Sequence, residues 1–210
     1  MYVQEIWRYP VKSMAGELLS SARITAQGVE GDRIVQVYAP NGRVLTSRTR
    51  PLILRHRGSL SPEGVPLIDG KPWNSPEIAK DIEAAAGAGA ILKLGEPVFD
   101  ILPLLLATDG MIQATGYDRR RFRPNLVIGG VDGLAEREWE GKTLRIGNVI
   151  LGLEDLRGRC IMTTFDPDSG EQDLNVLRRI QREFGGVLGL NTYVIQPGAV
   201  RIGDPVELLP

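Results

Sequence analysis

Cysteine and histidine are almost absent from this chain of 210 residues, where Cys160 and His56 are each the sole residue of their type. A single cysteine excludes a disulfide framework, an iron–sulfur cluster and any zinc site built from paired Cys or Cys/His ligands. A reducing compartment fits that usage. A single histidine leaves a Ser-His-Asp or Cys-His hydrolase only His56 to build on. Its neighbours Arg55 and Arg57 would repel the imidazolium that such a triad forms, and no Gly-x-Ser-x-Gly elbow occurs.

Charge of one sign is missing as well. With 25 Lys+Arg against 26 Asp+Glu the net charge is −1, so no polyanionic partner is implied. Aromatics are sparse at 6%, and no stacking series accompanies the arginines, so a nucleic-acid partner is not expected. The longest apolar run, Ile101 to Ala107, is far below the roughly 20 residues that span a bilayer. The start, Met-Tyr-Val-Gln-Glu-Ile, has no basic segment leading into an apolar one. No membrane association and a cytoplasmic location are therefore expected. No Gly-x-Gly-x-x-Gly turn links a strand to a helix, which argues against a nicotinamide-binding fold.

What the chain does have is turns. Its 25 glycines and 14 prolines are about a fifth of the residues, against an average of about 12%. Short β-type runs fill Tyr2 to Ser47, including Arg33 to Ala39 before the hairpin dipeptide Asn41-Gly42. Ser75-Pro76-Glu77 opens a helix that carries Ile78, Ile82 and Ala85 and stops at Gly87. The Gly/Ala stretch at Ala86 to Ala90 suggests a division near residue 90. Strands are expected at Ile91 to Leu94, Val98 to Leu102, Asn125 to Ile128, Thr143 to Ile146 and Val149 to Leu153, the last two joined by a turn at Gly147-Asn148. A second helix over Leu174 to Phe184 puts Leu174, Leu177, Ile180 and Phe184 on one face. Two strands bent at Pro197-Gly198 close the chain from Tyr193 to Leu209. Many strands with two or three helices indicate a mainly β fold of barrel or sandwich type.

Three features could carry chemistry. Cys160 lies in Leu156-Arg157-Gly158-Arg159-Cys160-Ile161-Met162, where two arginines would favour a thiolate, though a free cysteine is often simply a small buried hydrophobe. Cations and hydroxyls recur in turns at Pro10-Val11-Lys12-Ser13, Gly31-Asp32-Arg33, Ser47-Arg48 and Arg119 to Asn125. They form either an anion site assembled from several loops or a solvated basic surface. Asp166-Pro167-Asp168-Ser169-Gly170-Glu171 lacks the spacing of a calcium loop and reads as a turn.

Taken in order, these stretches resemble the MOSC domain family, named for the C-terminal domain of molybdenum cofactor sulfurase and including the mitochondrial amidoxime-reducing component. The resemblance rests on Tyr9-Pro10-Val11-Lys12-Ser13, Gly31-Asp32-Arg33, Thr46-Ser47-Arg48, Arg123-Pro124-Asn125, Glu138-Trp139-Glu140-Gly141, Arg159-Cys160-Ile161-Met162-Thr163-Thr164-Phe165-Asp166-Pro167 and Gly203-Asp204-Pro205. It implies a MOSC-type β-barrel at 91–210 behind a smaller, abbreviated N-terminal β domain at 1–90. It further implies a molybdenum cofactor of molybdopterin type with Cys160 as the protein ligand to the metal. Lys12, Ser13, Arg33, Arg48, Thr108, Arg123, Asn125 and Arg159 would hold the pterin and its phosphate. At the level of the family there is also an association with pyridoxal phosphate. The implied activity is an oxidoreductase that reduces N-hydroxylated or other N-oxygenated small molecules. The alternative is a non-catalytic cofactor carrier or a sulfur-transfer protein using Cys160. One cysteine cannot hold an iron–sulfur cluster, so a separate electron-donor protein is expected, docking near the arginine-bearing loop Arg119 to Arg123.

Overall fold

The computed structural model describes residues Met1–Pro210 and shows a mainly β architecture. Its centre is an eight-stranded sheet. In spatial order the strands are Val206–Leu209, Thr143–Ile146, Val149–Gly158, Val187–Gln196, Leu104–Thr108, Leu126–Gly129, Tyr2–Arg8 and Glu17–Leu19. The sheet is open by pairing but curls strongly. Tyr2 bridges Pro205, and the Val3 amide donates to the Asp204 carbonyl at 2.9 Å, so the first strand meets the entry to the last. That curl encloses the largest core, which includes Ile6, Leu104, Leu106, Leu126, Leu144, Leu151 and Leu190. Burying such apolar surface is the main favourable term in folding.

A second core forms the other lobe. The Pro76–Ala86 helix starts where the Ser75 hydroxyl accepts from the Ile78 amide at 3.4 Å with Pro76 in the first turn. It buries Ile78, Ile82 and Ala86 against Val11, Met14, Val35, Val37, Ile53 and Ile68. Pairings cross residue 90 in both directions. Ile91–Leu94 pairs with Val35–Tyr38, Tyr2–Arg8 pairs with Leu126–Gly129, and Ser21–Thr25 pairs with Gly198–Arg201.

The structure departs from the sequence reading in several elements. The strand expected at Val98 to Leu102 lies instead at Leu104–Thr108, because Pro97 and Pro103 lack the N–H groups a ladder needs. Asp109–Thr115 is an unexpected short helix, with Gly110 in its first turn. Only glycine fits there, since a Cβ would collide with the Val131 carbonyl. The chain closes with three strands, Val187–Gln196, Gly198–Arg201 and Val206–Leu209, instead of two. The helix Leu174–Phe184 has the expected bounds but a rotated face. It buries Val176, Ile180 and Phe184 and leaves Leu174 exposed, with Asp173 capping one end and Gly185 in the left-handed region at the other.

Candidate functional site

The strand Val149–Gly158 runs past its expected end at Leu153, with register breaks on either side of Leu156, and delivers Arg157 to a cavity of about 250 Å³. Bulges of this kind re-aim side chains next to functional sites. Two residues past the strand's end at Gly158, half-buried Cys160 lines the cavity at the start of the short helical turn Ile161–Thr164. The other walls come from distant segments: Lys12 and Ser13, Arg33, Thr46 and Arg48, Phe99 to Leu102, Arg121 to Arg123 with Asn125, and Asn191. Seven cations line this space, Lys12, Arg33, Arg48, Arg121, Arg123, Arg157 and Arg159, against the single acid Asp100.

The backbone is bent to achieve this. The chain has four non-glycine residues with positive φ, and three of them, Ser13 at 72°, Arg33 at 57° and Arg123 at 57°, lie on this cavity. Such conformations cost on the order of 1–3 kcal/mol each and persist where the surroundings over-determine them. A buried network does that here. Asp32 accepts from the Tyr9 amide at 2.6 Å and from Asn125 Nδ2 at 3.1 Å, and it pairs with Arg33. Asn125 Nδ2 also donates to the Trp7 carbonyl at 3.3 Å, and its Oδ1 accepts from the Leu105 amide at 3.2 Å. Burial pushes the Asp32 carboxyl up and the Tyr9 phenol up.

The cations divide by what they already hold. Lys12, nearly buried, donates to Asp100 at 2.8 Å and to the Val98 carbonyl at 3.0 Å, and burial pulls its ammonium below the ordinary value. Arg48 donates to Asp100 at 2.6 Å. Burial opposes its charge, but Asp100 and the adjacent Cys160 raise its pKa. Arg157 reaches Asn191 at 3.1 Å and Asp100 at 3.4 Å. Arg159 donates to the Phe122 carbonyl at 2.6 Å and the Leu188 carbonyl at 3.4 Å, while its Nε has no partner. Burial, with Arg157 beside it, brings its pKa down to about 10. Arg123 is different. Its guanidinium lies over the Tyr9 ring at 4.4 Å, makes no side-chain hydrogen bond or ion pair, and is pulled below its ordinary value by burial. The Ser13 hydroxyl likewise has no protein partner, and only its carbonyl is engaged, accepting from Ser47 at 2.7 Å.

Of the residues singled out in the sequence, Lys12, Ser13, Arg33, Arg48, Arg123, Asn125, Arg159 and Cys160 line one cavity. Asn125 does so with all its polar atoms spent on the protein, so it positions Asp32 and Arg33. Thr108 does not belong to the set. It is fully buried, caps the Asp109–Thr115 helix through the Met111 amide at 3.1 Å and donates to Glu136 at 3.1 Å. The arginine-rich loop is also quieter than its sequence: Arg119 pairs with Glu5, Arg120 with Asp118 and Asp168, and Arg121 with Asp166. Asp166 to Gly170 is the expected turn, its carboxylate accepting from the Asp168 and Ser169 amides. Asp100 and Asn191 carry no sequence signal, and Arg157, expected with Arg159 to favour the Cys160 thiolate, was not among the residues expected to hold the cofactor.

No group of three or more His, Cys, Asp or Glu side chains gathers anywhere to hold a metal. A metal here would take one protein ligand, Cys160, and the rest from an anionic cofactor. The MOSC N-terminal beta barrel domain model matches residues 1–85, and the MOSC domain model matches residues 107–207. The chain belongs to the MOSC domain family. Among similar MOSC relatives, human mitochondrial amidoxime-reducing component 1 is 26% identical over 99% of this chain and 82% of its own length. The molybdenum cofactor sulfurase of Bombyx mori is 38% identical over 40% of this chain and 10% of its own. The YUAD protein of Bacillus subtilis shares the fold at 14% identity, with a TM-score of 0.50 over 99% of this chain and 94% of that one. The MOSC family places the chain among proteins associated with the molybdenum cofactor. No helix is long and apolar enough to cross a membrane.

Proposed function

We propose that this chain binds a molybdenum cofactor of molybdopterin type, with Cys160 as the ligand to the metal, and acts as an oxidoreductase on N-oxygenated small molecules. The observation that carries the proposal is a cavity holding the chain's one thiol among seven cations and one acid, with the Arg123 guanidinium unpaired. The donor set fits the group. A thiolate suits a high-valent, sulfur-rich metal centre, and forked or point donors suit a phosphate. Arg123, Lys12 and the Ser13 hydroxyl would bind the phosphate, while Arg33, fixed by Asp32 and Asn125, would hold the pterin side. Arg159 ties the Cys160 turn to the Phe122 and Leu188 carbonyls and so orients the thiol. Bound there, the cofactor would supply two-electron reduction of an N–O bond with release of water. Electrons would come from a separate protein, in the cytoplasm. Since Arg119 and Arg120 are engaged by acids, the donor's docking would draw less on them than their sequence suggests.

A carrier or sulfur-transfer role is the second reading, favoured by the half-buried free thiol beside Arg48 and by the local likeness to a molybdenum cofactor sulfurase. Metal and pterin analysis of protein made in a cofactor-synthesising host tests the shared part, and both should be present. Loaded protein should then reduce a simple N-hydroxylated compound with a chemical one-electron donor and not with NADH alone. Bound cofactor without turnover across several such compounds would favour the carrier.

A further inference from the structure

Asp100 is the only acid lining the Cys160 cavity, and it lies in the irregular stretch between Leu94 and Leu104 that joins the two lobes. Its Oδ1 accepts from Lys12, and its Oδ2 accepts from Arg48 at 2.6 Å and Arg157 at 3.4 Å. Three cations from three distant segments thus converge on one carboxylate, which occupies them as a bound anion would. Lys12 also holds the Val98 carbonyl, so the same stretch is fastened at two points.

We propose that Asp100 is an internal counter-ion that an incoming phosphate group displaces, and that it sets a threshold which monoanionic ligands do not clear. This inference rests on the reading of the cavity as a phosphate-holding site. An intramolecular carboxylate competes at an effective concentration of roughly millimolar or above. A free carboxylate brings the same single charge and the same two oxygens, so exchanging it for Asp100 gains nothing. A phosphate dianion brings about twice the charge and three acceptor oxygens. The Ser13 hydroxyl and Arg123, neither of which bonds to Asp100, stand ready for the additional oxygens.

The test uses the cofactor-free protein, inorganic phosphate and acetate, titrated calorimetrically at about pH 8, where inorganic phosphate is mainly the dianion. The wild-type protein should bind phosphate and show no acetate binding. In Asp100→Asn, phosphate should tighten at least about tenfold, a change of about 1.4 kcal/mol, and acetate binding should emerge. Asp100→Glu, which keeps the charge, should still exclude acetate. Unchanged phosphate affinity in Asp100→Asn, or no phosphate binding by any of the proteins, overturns the proposal. Tightening for phosphate alone, with acetate still unbound, would make Asp100 a fixed repulsive charge and overturn displacement. A second readout needs no variant: saturating the wild-type protein with phosphate should speed amide exchange across Val98 to Leu102, and slower exchange there would contradict release of Asp100. Loss of molybdenum binding is judged separately by metal analysis, so the two readings fail independently.

Discussion

The corner formed by Arg119–Arg121 with Asp166–Asp168 and the Cys160 cavity beside it are built from the same residue type and reach opposite electrostatic ends. In the corner, three consecutive arginines each find a carboxylate, from Glu5, Asp118, Asp168 or Asp166. In the cavity, seven cations gathered from distant segments face Asp100 as the only lining acid: it engages Lys12, Arg48 and Arg157, while Arg33 and Arg121 pair with Asp32 and Asp166 outside the lining and Arg123 has no partner. Arg121 belongs to both, and Arg121, Arg123 and Met162 also line a neighbouring cavity of about 570 Å³. A run of arginines in sequence is therefore a poor marker of an anion site. Convergence in space with too few acids is a better one.

The comparison can be broken first at Arg123. Arg123→Gln removes the cavity guanidinium that no protein group engages by hydrogen bond or ion pair, and a charge-assisted contact is worth about 1.5–3 kcal/mol, so cofactor retention should weaken by about one to two decades. The release rate of cofactor from loaded protein measures it. Asn125→Ala attacks the support beneath the cavity and leaves Asp32, fully buried, short of a donor. A loss of about 1–3 kcal/mol is expected in urea denaturation.

The acid limb of stability comes next. Burial works to raise the Asp100 carboxyl, but Lys12, Arg48 and Arg157 hold it below the ordinary range. Between that depressed value and the unfolded value of about 3.9, the native state binds fewer protons than the unfolded chain. The contribution is thus present above about pH 4 and lost as pH falls through the folded pKa. Urea midpoints of Asp100→Asn, measured from neutral to acid pH, should fall less steeply there than those of the wild-type protein. Smallest of all is Arg120→Gln. Its pairs with Asp118 and Asp168 lie at the surface, half-buried and exposed respectively, so the change should cost about 1 kcal/mol and leave cofactor retention as it was.

The two regions also differ in how they could be read from the chain. Lys12, Ser13, Arg33, Arg123 and Cys160 were legible because each sits in a turn whose residue types match a family pattern. The mainly β fold and the Pro76–Ala86 helix were legible from turn residues and a cap, and the Leu174–Phe184 helix from its apolar spacing, though not the exact face it buries. Asp100 was not, since it lies in an irregular stretch with no period or motif, and its role exists only through partners that are remote in sequence. Thr108 shows the opposite failure: a hydroxyl in a suggestive position is consumed as a helix cap. The ion pairs that quiet Arg119–Arg121 include Glu5, 114 residues from Arg119, and no local pattern announces them.

The most direct test is molybdenum and pterin content in three proteins prepared side by side from a cofactor-synthesising host: wild type, Cys160→Ser and Arg120→Gln. Serine is nearly isosteric with cysteine but is not a soft ligand, so Cys160→Ser should remain folded and hold no molybdenum, while Arg120→Gln should match the wild type. Undiminished molybdenum in folded Cys160→Ser, or a loss in Arg120→Gln as large as in Cys160→Ser, would contradict the account.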